Sequence, residues 1–482
     1  MKMIQLKVLN LTGCIQLQRT PDFSNFVSLE MLILAQCVKL TGIRRSIGKL
    51  KCLQTLNIRG CKLLCSLPVE IGSLQSLTEI IMPQNFQPFK LPKTFSDLKS
   101  LSTFILDEHP GIIQLPNSIG GLVKLTHLSL RGCVGIKELP SSIGEMEMLV
   151  KLDLSHSGIV ELPDSIGCLE KLELIWVSYT DIRKFPHTIG QLKMLEELHA
   201  KKCRHLADEN LEEIGKLSHL RILDLSYTVL SRFPSALRCL SCLQTLEFGS
   251  SHLQEILDLP LSLTRLHMQA HHFPSIIDLS SLLSLDYLEF YRLTASTEEP
   301  GPTWTNNLPE EQLIHPLPSG LSTLKVRGIS LLPHFSDLKK LLDLCVIESQ
   351  MSRFSVSPDQ INLTKLKLSE CKLLVEITGM SLLKSLRCLD LDRLESLVEI
   401  HGLSELESLR CFRISHCCRI ERLPNLSKLD KLQKIEIEDC PKIRAIEGLE
   451  GLESLELDNH GCNVLERLLD GKRWTWLSRN AP

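Results

Sequence analysis

The chain has 482 residues, with 54 Lys and Arg against 57 Asp and Glu for a formal net charge of −3, and only 5% of it is aromatic. That balance excludes the basic footprint of a nucleic-acid-binding domain. Length alone would suggest about three globular domains, but repeat proteins lengthen without adding separate cores.

The first residues, Met1-Lys2-Met3-Ile4-Gln5-Leu6-Lys7, lack the apolar run and small-residue cleavage site of a secretory signal. No stretch approaches the roughly 18 uncharged apolar residues of a membrane-spanning helix. From Leu6 onward one frame of nine columns recurs, L-x-x-L-x-L-x-x-(C/T/N). It fits Leu53, Leu56, Ile58 and Cys61, then Leu125, Leu128, Leu130 and Cys133, then Leu432, Ile435, Ile437 and Cys440. Repeats begin at residues 6, 29, 53, 77, 101, 125, 149, 172, 195, 220, 243, 263, 285, 321, 341, 363, 386, 409, 432 and 452. These 20 starts are spaced by 20 to 25 residues, with a single step of 36.

Alternation of apolar and polar residues in x-L-x-L-x reads as a short strand with one buried face. No repeat can bury that face alone, so stacked repeats should share a continuous core and a parallel sheet. The second half of many repeats reads L-P-x-x-I-G-x-L, as at Leu67-Pro68 to Ile71-Gly72, Leu115-Pro116 to Ile119-Gly120 and Leu139-Pro140 to Ile143-Gly144. It recurs at Leu162-Pro163 to Ile166-Gly167 and Phe185-Pro186 to Ile189-Gly190. Proline fixes φ where a short helical turn begins, and glycine is expected to let the turn end. The expected fold is an α/β leucine-rich-repeat solenoid, an arc or horseshoe with a concave parallel β-sheet and convex short helices, 3-10 turns and loops.

Residues 1–293 hold about 13 repeats and 321–462 about seven more. The long step between Leu285 and Leu321 places an irregular insertion loop at 294–320, rich in Pro, Glu, Thr and Asn, with Trp304 expected to fold back onto the solenoid. Residues 463–482 break the frame and read as a C-terminal cap. The chain opens inside a repeat, so upstream sequence or another domain is expected to cover that end.

Of the 18 cysteines, Cys14, Cys37, Cys61, Cys133, Cys203, Cys371, Cys417 and Cys440 all stand in the ninth column, where Thr180 and Thr228 substitute in other repeats. That column suits a small buried side chain, so a reduced, structural role and a reducing compartment are expected. Same-column neighbours leave a disulfide open. Cys239 and Cys242 have a metal-like spacing without a second ligand pair, which favours a structural reading over zinc. Phosphate-binding loops, G-x-S-x-G elbows and H-E-x-x-H motifs are missing, so no catalytic residue, metal or cofactor is expected.

Binding should use the third, fifth, seventh and eighth columns, which point to the concave face. All four tyrosines, Tyr179, Tyr227, Tyr287 and Tyr291, fall there, as does Trp176. Aromatic side chains favour strands generally, but Tyr and Trp are also the residues enriched in binding hot spots. The eighth column aligns His156, Tyr179, Lys202 and Tyr227 from successive repeats, and the fifth aligns Asp153, Trp176, His199 and Asp224. With strands about 4.8 Å apart, these eight side chains would form one protein-binding patch about 15 Å long. Lys325, Arg327, Lys365 and Lys367 give a basic stretch, and Glu436, Glu438, Asp439, Glu456 and Asp458 an acidic end, both of secondary weight.

The text L-P-x-x-I-G-x-L-x-x-L-x-x-L-x-L-x-x-C, clearest over Leu125–Ser157, resembles the repeats of plant intracellular nucleotide-binding leucine-rich-repeat disease-resistance proteins. The likeness is greatest to the class with an N-terminal Toll/interleukin-receptor-like (TIR) domain. It covers nearly the whole chain. Secreted plant repeats instead resemble L-x-G-x-I-P between paired-Cys caps. The resemblance implies a recognition module of plant immunity. It would sense a pathogen effector or a guarded host protein and restrain the nucleotide-binding domain of the same or a companion receptor. It would act in the cytoplasm, with the nucleus a further compartment, without nucleic acid or a membrane span. Two rivals stay open: an intracellular Ras-group-like repeat scaffold, and the substrate-recognition part of a ubiquitin ligase, which would need an F-box-like helical segment.

Overall fold

The computed structural model describes residues 5–83, 88–230, 233–250, 259–271, 273, 276–293, 313–314, 316–328, 338–356, 358, 362–444, 446–449 and 456–460. Trp304 and the 463–482 segment lie outside them. The chain packs as two compact units, Met1–His252 with Leu257–Pro260, and Leu253–Ile256 with Leu261–Pro482.

In the first unit each repeat contributes one strand, from Val8–Asn10 to Thr245–Ser250, and each pairs in parallel with the strand of the next repeat. Pairing joins identical columns: Lys151 faces Leu174, Leu152 faces Ile175, and Asp153 faces Trp176. Leucines of the first, fourth and sixth columns lie inside, as do Leu149, Leu152 and Leu154. Each such side chain contributes roughly 2 kcal/mol of apolar burial. A repeated frame therefore becomes a repeated strand because only same-column stacking keeps this row continuous.

The five L-P-x-x-I-G segments all become 3-10 helices, Val69–Ser73, Ile119–Gly121, Ser141–Glu145, Asp164–Cys168 and Ile189–Gln191. Pro68, Pro140 and Pro163 precede three of them with φ near the ring-imposed value, −69°, −66° and −70°. The glycines do not end the turns, as the sequence suggested. Gly72 sits inside its helix, and a Cβ on it would lie 2.2 Å from the carbonyl oxygen of Thr94 in the next repeat. Close approach of neighbouring turns selects glycine here.

The second unit repeats the plan with longer strands, from Arg265–Ala270 to Glu456–His460, again joined in parallel from one repeat to the next. Two departures from the sequence frame appear. Lys434 pairs with Glu456 and Ile435 with Leu457, so the last repeat starts at residue 454, not 452. The text Leu452-x-x-Leu455-x-Leu457 matches the motif, but strand pairing selects the alternative with Leu457 in the fourth column. Within the insertion, Leu313–Ile314 is a short strand paired with Ile276–Ile277, whereas 316–320, at its end, is bend and turn as expected of loop. Apolar, branched residues at both places suit such pairing; the rest of 294–312 lies outside the described residues. Arg353–Ser355 and Glu376–Thr378 form a further two-stranded pair away from the main ladder.

The ninth-column thiols sit where the frame puts them. Cys37, Cys61, Cys133 and Cys203 are buried, and each Sγ–H donates to the sixth-column carbonyl of the preceding repeat, Leu11, Leu34, Leu106 and Val177, at 3.0–3.2 Å. Burial pushes the Cys61 thiol up to about 12 and that of Cys133 up to about 11. All cysteines among the described residues are free; Cys14 alone of this column is exposed, at the first repeat. His109 occupies the same column, fully buried, with neither ring nitrogen hydrogen-bonded.

Candidate protein-binding surface

Past each strand the chain turns sharply. The ninth-column N–H bonds the sixth-column carbonyl of its own repeat, as from Ser157 to Leu154 at 3.1 Å. The residue between, in the eighth column, takes a positive φ, as the third residue of a type II turn does. Glycine fills the place at Gly13, Gly60, Gly132 and Gly328, but 11 repeats put a side chain there, among them His156, Tyr179, Lys202 and Tyr227 with φ of 58°, 60°, 55° and 57°. This conformation costs about 1 kcal/mol for a non-glycine residue. It is held at three of these four residues by an eighth-column N–H that donates to the seventh-column carbonyl of the next repeat: His156 to Ser178 at 2.8 Å, Tyr179 to Lys201 at 2.7 Å, Lys202 to Ser226 at 2.8 Å. The repeats starting at 243, 263 and 285 differ: Ser250, Ala270 and Arg292, at this column, do not take a positive φ.

The left-handed turn lifts the eighth-column side chains into one row. The rings of His156 and Tyr179 stack, with centroids 4.3 Å apart and planes 13° from parallel. Lys202 Nζ lies 5.3 Å from the Tyr179 ring centre and 5.4 Å from that of Tyr227, and Lys201 Nζ lies 5.7 Å from Tyr227. In the fifth column, Trp176 meets His199 edge to face at 6.1 Å. His199 Nε2 is 3.2 Å from Glu197 Oε2, and its Nδ1 is 4.0 Å from Asp224 Oδ2. Trp176 and Tyr179 keep 38% and 42% of their surface exposed.

Six of the eight patch residues thus touch a neighbour of the patch on an accessible face. Asp224 does not: it is 6% exposed, and its Oδ1 accepts the Ser226 N–H at 2.9 Å and the Ser226 hydroxyl at 2.6 Å. Asp153, though half-buried, does the same for the Ser155 N–H at 2.8 Å. A fifth-column Asp with Ser two residues on is an Asx turn in the sequence, serving the backbone rather than a partner. Lys201 was the residue missed; its place in an outward column beside Lys202 was the available signal.

In the second unit, Tyr287 lies between two cations. Arg265 Cζ is 4.5 Å and Lys325 Nζ 5.1 Å from its ring centre, and its hydroxyl donates to Glu289. Desolvation, then the bond to Glu289, raises the Tyr287 pKa. Tyr291 packs against Arg327 at 4.8 Å, and Arg327 forks onto Glu348 with 2.8 and 3.1 Å contacts. These tyrosines form a second cluster, in the other unit from the 153–227 patch. Charges of the basic stretch and of the acidic end are met by residues outside both groups: Lys365 pairs with Asp343 at 3.5 Å and Lys367 with Asp390 at 3.0 Å, while Glu436 takes Arg413 and Asp439 lies 3.3 Å from His416. The side chains of Glu456 and Asp458 lie outside the described residues.

A Leucine Rich Repeat family model matches residues 52–74. No curated protein sequence matches the chain. Among solved structures, the chain is similar to the crystal structure of a TDR receptor, 17% identical over 94% of this chain and 85% of that one, with a TM-score of 0.50. It is similar also to the leucine-rich-repeat ectodomain of the Arabidopsis receptor kinase HAESA in complex with an N-terminally extended IDA peptide hormone ligand, 17% identical over 91% and 73% of the two chains, TM-score 0.50. A leucine-rich-repeat protein of Leptospira interrogans is 22% identical over 90% of this chain and 94% of that one, TM-score 0.49. Identities this low speak to the fold: the chain is an α/β leucine-rich-repeat solenoid. Such repeats suggest a protein–protein interaction module. Among the described residues no helix is long and apolar enough to cross a membrane.

Proposed function

We propose that this chain is the sensing region of a plant intracellular nucleotide-binding immune receptor of the TIR class. Its strand face seats a pathogen effector or a guarded host protein, and contact with the receptor's nucleotide-binding domain restrains the switch. It acts by binding, not catalysis, in the cytoplasm and nucleus. The observation that carries the reading is the row His156, Tyr179, Lys202, Tyr227, where four side chains hold strained backbone to stand side by side. The resemblance of the repeat text supports the family.

The test is co-precipitation from plant tissue of the tagged chain with its cognate nucleotide-binding domain and with candidate effectors. Trp176→Ala, Tyr179→Ala and Tyr227→Ala combined should weaken capture of at least one of them while leaving the circular dichroism spectrum unchanged. Capture unaffected by the triple variant would sink the assignment of the face.

A further inference from the structure

The charges on the 153–227 face are unequally engaged. Its carboxylates have internal duties: Asp153 and Asp224 hold the backbone amides of Ser155 and Ser226, and Glu197 faces His199. Its two adjacent lysines have none of that kind. Among the described residues no carboxylate pairs with the Lys201 or Lys202 ammonium; both rest over tyrosine rings, 5.3–5.7 Å from the ring centres. The backbone amides next to them are fixed, the Lys202 N–H on Ser226 O at 2.8 Å and the Lys201 N–H on Ser178 Oγ at 3.2 Å. The result is two positive charges, fixed at the base and held against aromatic faces, beside an exposed Trp176.

From this we infer that the face takes an acidic protein segment, running across the strands, whose carboxylates meet Lys201 and Lys202. An apolar side chain of the same segment covers Trp176 and the His156–Tyr179 stack. Cation–π contact leaves the ammonium hydrogens free to donate, so carboxylates complete the lysines without displacing the rings. An extended peptide crossing the strands spans one repeat, about 4.8 Å, in one to two residues of about 3.3 Å each, so a short segment reaches from Lys202 to Tyr179 and His156. This inference rests on the binding role proposed above and gives it a chemistry.

The test is selection from a phage-displayed random peptide library on the full chain, in parallel with the Lys201→Gln/Lys202→Gln double variant. Peptides selected on the unaltered chain should be enriched in Asp and Glu and should bind the double variant about tenfold more weakly, with affinity falling as salt rises. Glutamine versions of those peptides should bind both proteins equally poorly. No acidic enrichment, no selected binder, or equal binding to the double variant overturns the inference. The two ideas separate cleanly. If the triple aromatic variant loses its partner while the double lysine variant keeps it, the binding face stands and the acidic segment falls.

Discussion

The imidazole of His156 lies flat on the ring of Tyr179, 4.3 Å away, although both residues hold positive φ. Each ring stands on a turn that glycine would adopt more easily. The stack should recover part of that cost. In a double-mutant cycle by chemical denaturation, His156→Ala and Tyr179→Ala should show a coupling of about 1 kcal/mol. Additive effects of the two substitutions would mean that the rings are merely adjacent.

Glycine serves two different purposes in the repeat, and alanine separates them. At Gly13, φ is +71° and a Cβ would meet nothing within 4 Å, so Gly13→Ala should cost about 1 kcal/mol, from conformation alone. At Gly72 the added Cβ would strike the Thr94 carbonyl, so Gly72→Ala should cost about 3 kcal/mol. Equal shifts in the denaturation midpoints would refute the distinction.

His109 gives the fold an acid sensitivity. Desolvation lowers its pKa from 6.5 to about 4. The unfolded chain therefore binds a proton that the folded one refuses between those values, and stability falls as pH is lowered through that window. The loss should reach about 3 kcal/mol near pH 4 and grow no further below it. His109→Cys, which restores the residue most used in that column, should lessen the loss. A variant with the same pH profile as the parent would place the sensitivity elsewhere.

Thiol reactivity should follow column position. Iodoacetamide at neutral pH should label the exposed Cys52 and Cys65 and spare Cys61, Cys133 and Cys371, whose thiols burial pushes up to about 12, 11 and 11. Cys388 is half-exposed, yet desolvation and then the neighbouring Cys411 raise its thiol to about 11, so it too should react slowly. Peptide mass spectrometry gives the rates. Native labelling of Cys133 as fast as Cys52 would contradict the packing.

Much of this was legible in the chain itself, because a leucine that must stack on a leucine leaves its spacing in the sequence. Pairing such as Leu128 with Leu152 follows from the frame alone. The last repeat was misread by two residues because Leu452, Leu455 and Leu457 match the motif better than Ser454, Leu457 and Asn459, and strand pairing alone sets the register. Tyr179 and Lys202 were found as face residues, since alternation sets the side on which they emerge. Their strained backbone was missed, although Gly13, Gly60 and Gly132 in the same column were a sign of it. Asp224 was misplaced because alternation sets the face of a side chain but not its partner, and this carboxylate bends onto the N–H and hydroxyl of Ser226, two residues on.

Same-column pairing also bears on descent. Within a unit, every seam between described repeats of the first 230 residues joins like to like, as Leu56 to Ile80 and Leu198 to Leu223. Loss or duplication of one whole repeat by unequal crossing-over therefore rejoins a seam of the kind already present. A lineage can change the length of the face, and shift which side chains stand next to Tyr179, without first inventing a new core.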